Sequence, residues 1–315
     1  MTIKDVQELK TKIDQLKILY KQGKTDVEKE LRAFQRELKQ ISKEFCKNLS
    51  PWDRVSIARH NERPQTLDYI KAIFKNFVEL HGDRCYGDDP AIISGFAKFY
   101  NKSVCIIGHQ KGRDTKDKIY RNFGMAHPEG YRKAQRIMKL AEKFQIPIIT
   151  FVDTAGAYPG IGAEERGQAQ AIATSIELMG SLKTHIITII IGEGGSGGAL
   201  ALAVADKVLM LENAWYSVIS PEGCAAILYK DQSKVQEATK SLKITAQDLY
   251  ELGVIDCIIP EPYCGAHMSH RLTFYNVKFF LRKALNEVLK YSIDEIVQKR
   301  HDRYLNIGFY ENVNY

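Results

Sequence analysis

The chain contains no Cys-x-x-Cys pair, no apolar run long enough for a membrane span, and no internal repeat or low-complexity segment. Each absence excludes something. The six cysteines (Cys46, Cys85, Cys105, Cys224, Cys257 and Cys264) are scattered. That argues against a zinc ribbon and a disulfide framework, and for a reducing compartment. The longest unbroken apolar stretch, Ile186 to Ile191, is strand-sized, well short of the roughly 18 residues a membrane helix requires. The opening residues include Asp5 and Glu8. They lack both the apolar core of a signal peptide and the acid-poor look of a transit peptide, so neither secretion nor a membrane partner is expected. Stacking-aromatic and helix-turn-helix patterns are also missing, which disfavours a nucleic-acid-binding module. What remains is a 315-residue chain, 44% apolar and 26% charged, large enough to bury a substantial core. Its net charge of +7 suits an anionic substrate or an acidic partner and by itself selects neither.

The first fifty residues form a unit of their own, 1–50, followed by a larger one, 51–315. Val6, Leu9, Ile13, Leu16 and Tyr20, then Val27, Leu31, Phe34, Leu38, Ile41 and Phe45, step by threes and fours on either side of Gly23. This predicts an antiparallel helical hairpin with a narrow apolar seam, an arm for packing or assembly. Residues 51–90 read as helix and loop, with a helix from Thr66 to Leu80. Beyond Asp89-Pro90, strands are expected at Ala91–Tyr100 and Ser103–His109, separated by Asn101-Lys102. A helix opens at Pro128. Ile146–Val152 and Thr184–Ile191 have the β-branched composition of strands buried on both faces. Lys207–Leu211, Trp215–Ile219 and Val254–Ile259 add further strands, and Thr273–Leu289 a long helix. The alternation predicts an α/β fold with a mainly parallel sheet.

Ligands in such folds collect at the carboxyl ends of strands. Two consecutive strands here end in unusual turns. The first is Asp153-Thr154-Ala155-Gly156-Ala157-Tyr158-Pro159-Gly160. The second is Gly192-Glu193-Gly194-Gly195-Ser196-Gly197-Gly198, leading into a small-residue helix at Ala199–Ala205. Glycines strip away Cβ atoms and let backbone N–H groups approach a ligand, and where a helix begins those donors are unpaired. The second turn therefore reads as an oxyanion hole, with tight strand–helix packing as the structural alternative. A basic segment, with Lys111, Arg113, Lys116, Lys118 and Arg121, reads as a phosphate-binding lip or as a solvated charged surface. His109 and His127 are acid–base candidates, with a structural role the simpler reading.

Several short patterns match by coincidence. Gly192-x-Gly194-x-x-Gly197 fits a dinucleotide fingerprint without its acidic partner. Gly23-Lys24-Thr25 resembles the end of a phosphate loop but lies in a helical turn. Met138-Lys139 resembles a biotin-acceptor dipeptide but lies in a helix. Gly194-x-Ser196-x-Gly198 fits a hydrolase nucleophile elbow, with Asp256 and His267 following in the required order, so a serine hydrolase or peptidase using Ser196 is the alternative enzyme.

Taken together, GHQKGRDTKDKIYRNFGM, PEGYRKA, FVDTAGAYPGIGAEERGQ, IGEGGSGGALA and SPEGCAAILYKD, in this order and spacing, resemble the carboxyltransferase alpha-subunit family of bacterial-type acetyl-CoA carboxylase. The likeness runs over essentially the whole chain. It implies a crotonase-like (ClpP/crotonase) fold of stacked ββα units behind the N-terminal helical hairpin. The implied reaction is carboxyl transfer from N-carboxybiotin to acetyl-CoA, giving malonyl-CoA. The implied partners are a beta subunit in an alpha2beta2 heterotetramer, a biotin carboxyl carrier protein and biotin carboxylase. Zinc is expected in the beta partner and no metal in this chain. Carried onto this sequence, the backbone donors to the biotin ureido oxygen are Gly197 and Gly198. The surrounding binding residues are Gly194, Gly195, Ser196, Gly156, Tyr158, Gly160, Lys111 and Arg113. The family commonly has proline where Ala126 and Ala155 stand. The implied setting is a bacterial cytoplasm or a plastid stroma.

Overall fold

The structure, a computed structural model, describes residues 3–262 and 264–308. Helices α1 (Ile3–Lys21) and α2 (Glu28–Phe45) fold back on each other across the turn at Gly23. Val6, Ile13 and Leu31 are buried along their seam, while Leu9, Leu16, Phe34, Leu38 and Ile41 are half-buried. The side chain of Phe45 lies outside the described set. Immediately beyond α2, Cys46 is disulfide-bonded to Cys264, with Cα atoms 5.3 Å apart. This single bridge was not expected from the scattered cysteines: the partners are 218 residues apart, and proximity of that kind leaves no mark on local spacing.

Ser50 caps α3 (Pro51–Ala58), exchanging hydrogen bonds with Asp53 while Pro51 takes the first helical position. The helix expected over Thr66–Leu80 stops early. Helix α4 ends at Ile73, Phe74 turns extended, and Lys75–Glu79 becomes β1, an edge strand whose register slips near Asn76 at φ +53°. Strands β2 (Ile92–Phe99) and β3 (Lys102–His109) form a hairpin whose register pairs Phe99 with Lys102. Its turn is thus Tyr100-Asn101, one residue earlier than expected.

The chain then runs α5 (Thr115–Tyr120), α6 (Pro128–Lys143), β4 (Ile148–Thr154), α7 (Ile161–Glu165), α8 (Gln168–Ser181), β5 (Ile186–Gly195), α9 (Ser196–Leu200), β6 (Lys207–Leu211) and β7 (Trp215–Ser217). It continues through α10 (Pro221–Cys224), a π-helical turn at Ala225–Tyr229, α11 (Val235–Ser241), α12 (Ala246–Glu251), β8 (Cys257–Ile259), α13 (His270–Val288) and α14 (Ile293–Leu305). The sheet order is β1-β2-β3-β4-β5-β6-β8; the first three strands are antiparallel, and every pairing from β3 onward is parallel. Strand β7 pairs with the end of β5, Glu193–Gly195, and Trp215 bridges to Thr245.

Strands β4 and β5 are buried along their whole length, which their Ile-, Val- and Thr-rich composition requires. Helix α6 packs against β2, β3 and α8, burying Tyr131, Ala134, Ile137, Met138 and Ala141. Helix α14, not anticipated, is opened by a Ser292–Glu295 capping box. It is pinned by buried Arg300, which pairs with Asp206 (2.7 Å) and donates to the carbonyls of Met179, Leu182 and Thr184.

Candidate active site

The ladder between β4 and β5 is irregular at one place. Val152 pairs with Ile190 but Thr154 pairs with Gly194, so the register slips around Asp153. The Asp153 carboxylate accepts the Glu193 N–H (2.9 Å) and fills the space a side chain at Gly192 would need. Both glycine-rich turns leave the sheet just beyond this point, at the carboxyl ends of adjacent parallel strands.

The turns pack main chain against main chain. A Cβ on Gly195 would overlap the Ala155 carbonyl. One on Gly198 would lie 2.5 Å from the Ala157 nitrogen, 2.6 Å from the Gly156 carbonyl carbon and 2.9 Å from Tyr131 Oη. One on Gly194 would press on Tyr216 (2.8 Å) and on the Trp215 carbonyl (3.0 Å). Gly192, Gly194, Gly195 and Gly198 are buried, and tight packing explains the glycine at each. Gly197 differs. It is half-exposed, and its nearest neighbour would be Ile172 Cγ2 of α8 at 3.3 Å. Ser196 is exposed and held at φ +55°, a left-handed conformation that costs a non-glycine residue about 1–3 kcal/mol. Helix α9 begins there and runs only to Leu200, shorter than the Ala199–Ala205 helix expected. Its first N–H groups, from Ser196, Gly197 and Gly198, have no acceptor within the helix, and no side chain caps them.

In the first turn, Gly156 faces open space, and Tyr158 stacks on His127 with ring centroids 4.1 Å apart. Gly160 sits against the Tyr158 ring. The Ala126 carbonyl accepts from the Tyr158 N–H (3.1 Å) and from Gln168 Nε2 (2.8 Å). Hydrogen bonds thus hold the loop at Ala126.

The basic lip is not what the sequence suggested. Lys111 is largely buried, with its ammonium 2.8 Å from Asp153 Oδ1 and 2.6 Å from Glu193 Oε2. Arg113 pairs with Asp68 and donates to the carbonyls of Asn61 and Arg63. Arg121 is bound to Asp117 and the Pro90 carbonyl, and Lys118 to Asn61. Neither Lys111 nor Arg113 is a free cation awaiting phosphate, because carboxylates distant in sequence already hold them.

Sequence reasoning passed over the network around Lys111. Arg59 Nε donates to Glu193 Oε1 (2.6 Å), its other nitrogens pair with Glu222 of α10, and Arg63 pairs with Glu261. Burial alone would raise the Glu193 carboxyl pKa, but Lys111 and Arg59 outweigh it and hold the value at about 2. Burial likewise opposes the charge of Lys111, yet Asp153 and Glu193 raise its pKa. One signal was available: an acid at the end of an Ile-rich buried strand requires cationic partners. Arg59, Arg63, Lys111, Asp153 and Glu193 of this network line a cavity of about 200 Å³ beside Ala155 and Phe123.

The two histidines are structural. His109 is fully buried beside the Asp153 N–H (3.5 Å), and burial, then Lys111, lowers its pKa to about 4. His127 is held by Asn122 (3.0 Å) and the Tyr158 ring. No hydrolase triad assembles. Asp256 precedes β8 at the amino end of the sheet, paired with Arg303, whereas Ser196 follows β5 at the carboxyl end. His267 is stacked on His60 (3.8 Å). Among the described residues there is no cluster of three metal-ligating side chains.

The fold is that of the crotonase-like carboxyltransferases. It aligns with transcarboxylase 12S at a TM-score of 0.56 and 18% identity, over 75% of this chain and 46% of that longer one. It aligns with a chain of a Pseudomonas malonate decarboxylase hetero-tetramer at a TM-score of 0.59 and 15% identity, over 76% and 94%. Sequence narrows the class. The family profile described as acetyl co-enzyme A carboxylase carboxyltransferase-like matches residues 2–308. The acetyl-coenzyme A carboxylase carboxyl transferase subunit alpha of Aquifex aeolicus is 56% identical over 308 residues, 98% of this chain and 95% of that one. The subunit of the same name from Thermus thermophilus is 52% identical over 305 residues, 97% and 96%. The chain belongs to the acetyl-CoA carboxylase carboxyltransferase alpha-subunit family and is a carboxyltransferase.

Proposed function

We propose that this chain, seated against a beta subunit in an alpha2beta2 assembly, transfers the carboxyl group of N-carboxybiotin to acetyl-CoA, giving malonyl-CoA. A biotin carboxyl carrier protein delivers the biotin, biotin carboxylase recharges it, and the beta chain contributes its own zinc-bearing module. The setting is a bacterial cytoplasm or a plastid stroma. One observation carries the reading for this chain's own residues: Ser196 and Gly197 form a ledge without bulk at the start of α9, fixed from behind by main-chain packing.

Carboxybiotin supplies an activated carboxylate on a planar urea ring, and the bare ledge beside Gly156 and Ile172 fits such a ring. Carboxyl transfer places negative charge on the ureido oxygen, where fixed N–H donors stabilise it without a nucleophile or a metal. Gly197 reaches the surface; Gly198 is buried behind it and holds the turn. Val218 is exposed directly beyond β7, whose strand pairs with Gly194 and Gly195, and Ile227 and Leu228 are exposed on the π-helical turn after α10. These exposed apolar side chains support a chain that works against a partner.

The test is co-expression with a beta chain, followed by an assay with carboxybiotin and acetyl-CoA. Malonyl-CoA formed only by the pair is the expected result. Its absence from a well-assembled complex, or labelling of Ser196 by a fluorophosphonate, would remove this reading.

A further inference from the structure

Lys111 stands two residues beyond the end of β3, and its ammonium lies between Asp153 of β4 and Glu193 of β5. These two carboxylates head the two glycine turns: Thr154-Ala155-Gly156 follows one, and Gly194 to Gly198 follows the other. Asp153 also accepts the Glu193 N–H, so three strands are fastened at a single point directly beneath the turns. The aliphatic stem of Lys111 is walled in as well. A Cβ on Gly124, which sits at φ +80°, would lie 2.8 Å from Lys111 Cγ and 3.1 Å from the Asp153 carbonyl.

We propose that Lys111 is a positioning residue for carboxyl transfer, its ammonium holding the two glycine turns in mutual register rather than binding the phosphates of the thioester substrate. The inference rests on the carboxyltransferase reading above. A lysine suits the task because its compact charge offers three donors, enough for two carboxylates at once. Its loss leaves Asp153 without its cation beside Glu193, which keeps Arg59, so two buried carboxylates repel each other at the base of turns that touch through their main chains. Those contacts have no slack, so relieving the repulsion moves Gly156-Ala157 relative to Gly197-Gly198. A phosphate ligand, by contrast, needs an ammonium free to meet an incoming anion.

The test uses the full chain assembled with a beta chain, with Lys111→Met as the main variant. A displacement of about 1 Å lowers kcat on the order of 10²-fold. The expected result is that loss, with the CoA dissociation constant from calorimetry within about twofold of wild type. Amide hydrogen exchange on the full chain alone should quicken at residues 154–160 and 194–200 together. A CoA affinity weakened about tenfold or more, with kcat at saturation retained, overturns the inference. If Lys111→Met does not fold, Glu193→Gln makes the same comparison: reduced kcat with unchanged CoA binding supports the rivet, and weakened CoA binding with intact kcat overturns it. A wild-type complex that makes no malonyl-CoA removes the reaction reading alone. The exchange experiment still decides the rivet, because unchanged exchange in the variant overturns it.

Discussion

Gly197 and Gly198 are neighbours in sequence, yet a methyl group should affect them very differently. At Gly198 the added carbon meets backbone on two sides, at 2.5 Å and 2.6 Å, with Tyr131 Oη at 2.9 Å behind it. Ordinary contact requires about 3.4 Å or more, and main chain cannot swing aside as a side chain can, so the turns must part by roughly 1 Å. Overpacking of this kind destabilises by about 1–3 kcal/mol. A shift of about 1 Å in the ledge lowers turnover on the order of 10²-fold. At Gly197 the methyl meets only Ile172 Cγ2, at 3.3 Å, and the N–H stays where it was. Gly197→Ala should keep turnover within a few-fold and gain about 0.5–1 kcal/mol from helix propensity, less whatever Ile172 costs in adjusting. Malonyl-CoA formation by the alpha–beta complex and urea denaturation of each variant measure both quantities. Equal losses at the two positions, or a silent Gly198→Ala, would refute the main-chain packing argument.

Ser196→Gly should retain carboxyl transfer and raise stability by about 1 kcal/mol, because glycine adopts φ +55° without strain. Abolished activity would show that the hydroxyl takes part in the chemistry. Arg300→Met should cost about 3–5 kcal/mol in urea denaturation, since it leaves Asp206 buried without its partner. A smaller loss would mean that α14 is not anchored there. Stability should fall as pH drops below 6.5. Burial, then Lys111, lowers the pKa of His109 to about 4, and burial, then His60, lowers that of His267 to about 2. Both imidazoles stay neutral in the fold while the unfolded chain takes up protons. Their contribution is therefore complete above 6.5 and shrinks by about 2 kcal/mol per histidine by pH 5. A urea midpoint that stays flat between pH 7 and pH 5 would contradict this.

Much of the scaffold could be read from residue order. Ile148–Thr154 and Ile186–Gly195 are apolar on both faces, and only a covered parallel sheet tolerates such runs. Strand β1 leaves little trace in the sequence because Lys75–Glu79 is only five residues long and follows a helix without a break. Helix α14 announced itself only through Ser292 and Glu295. At the site, the glycine turns were legible as a place, but the task of each glycine was not. What sits across from Gly195 or Gly198 is set by a loop some forty residues earlier. The sequence leaves Lys111 between a phosphate site and a solvated surface for the same reason: Asp153 and Glu193 meet it only in three dimensions. Cys46 and Cys264 repeat the lesson at the greatest distance.

The contact between the two turns is made of atoms that every amino acid shares, and it depends on side chains that are missing. Mutation can only add bulk at Gly192, Gly194, Gly195 or Gly198, and there is no neutral direction in which to drift. Such a joint should resist gradual remodelling. New substrate preferences in this lineage would therefore have to be sculpted from the walls around it, leaving the hinge-point of the two loops unaltered.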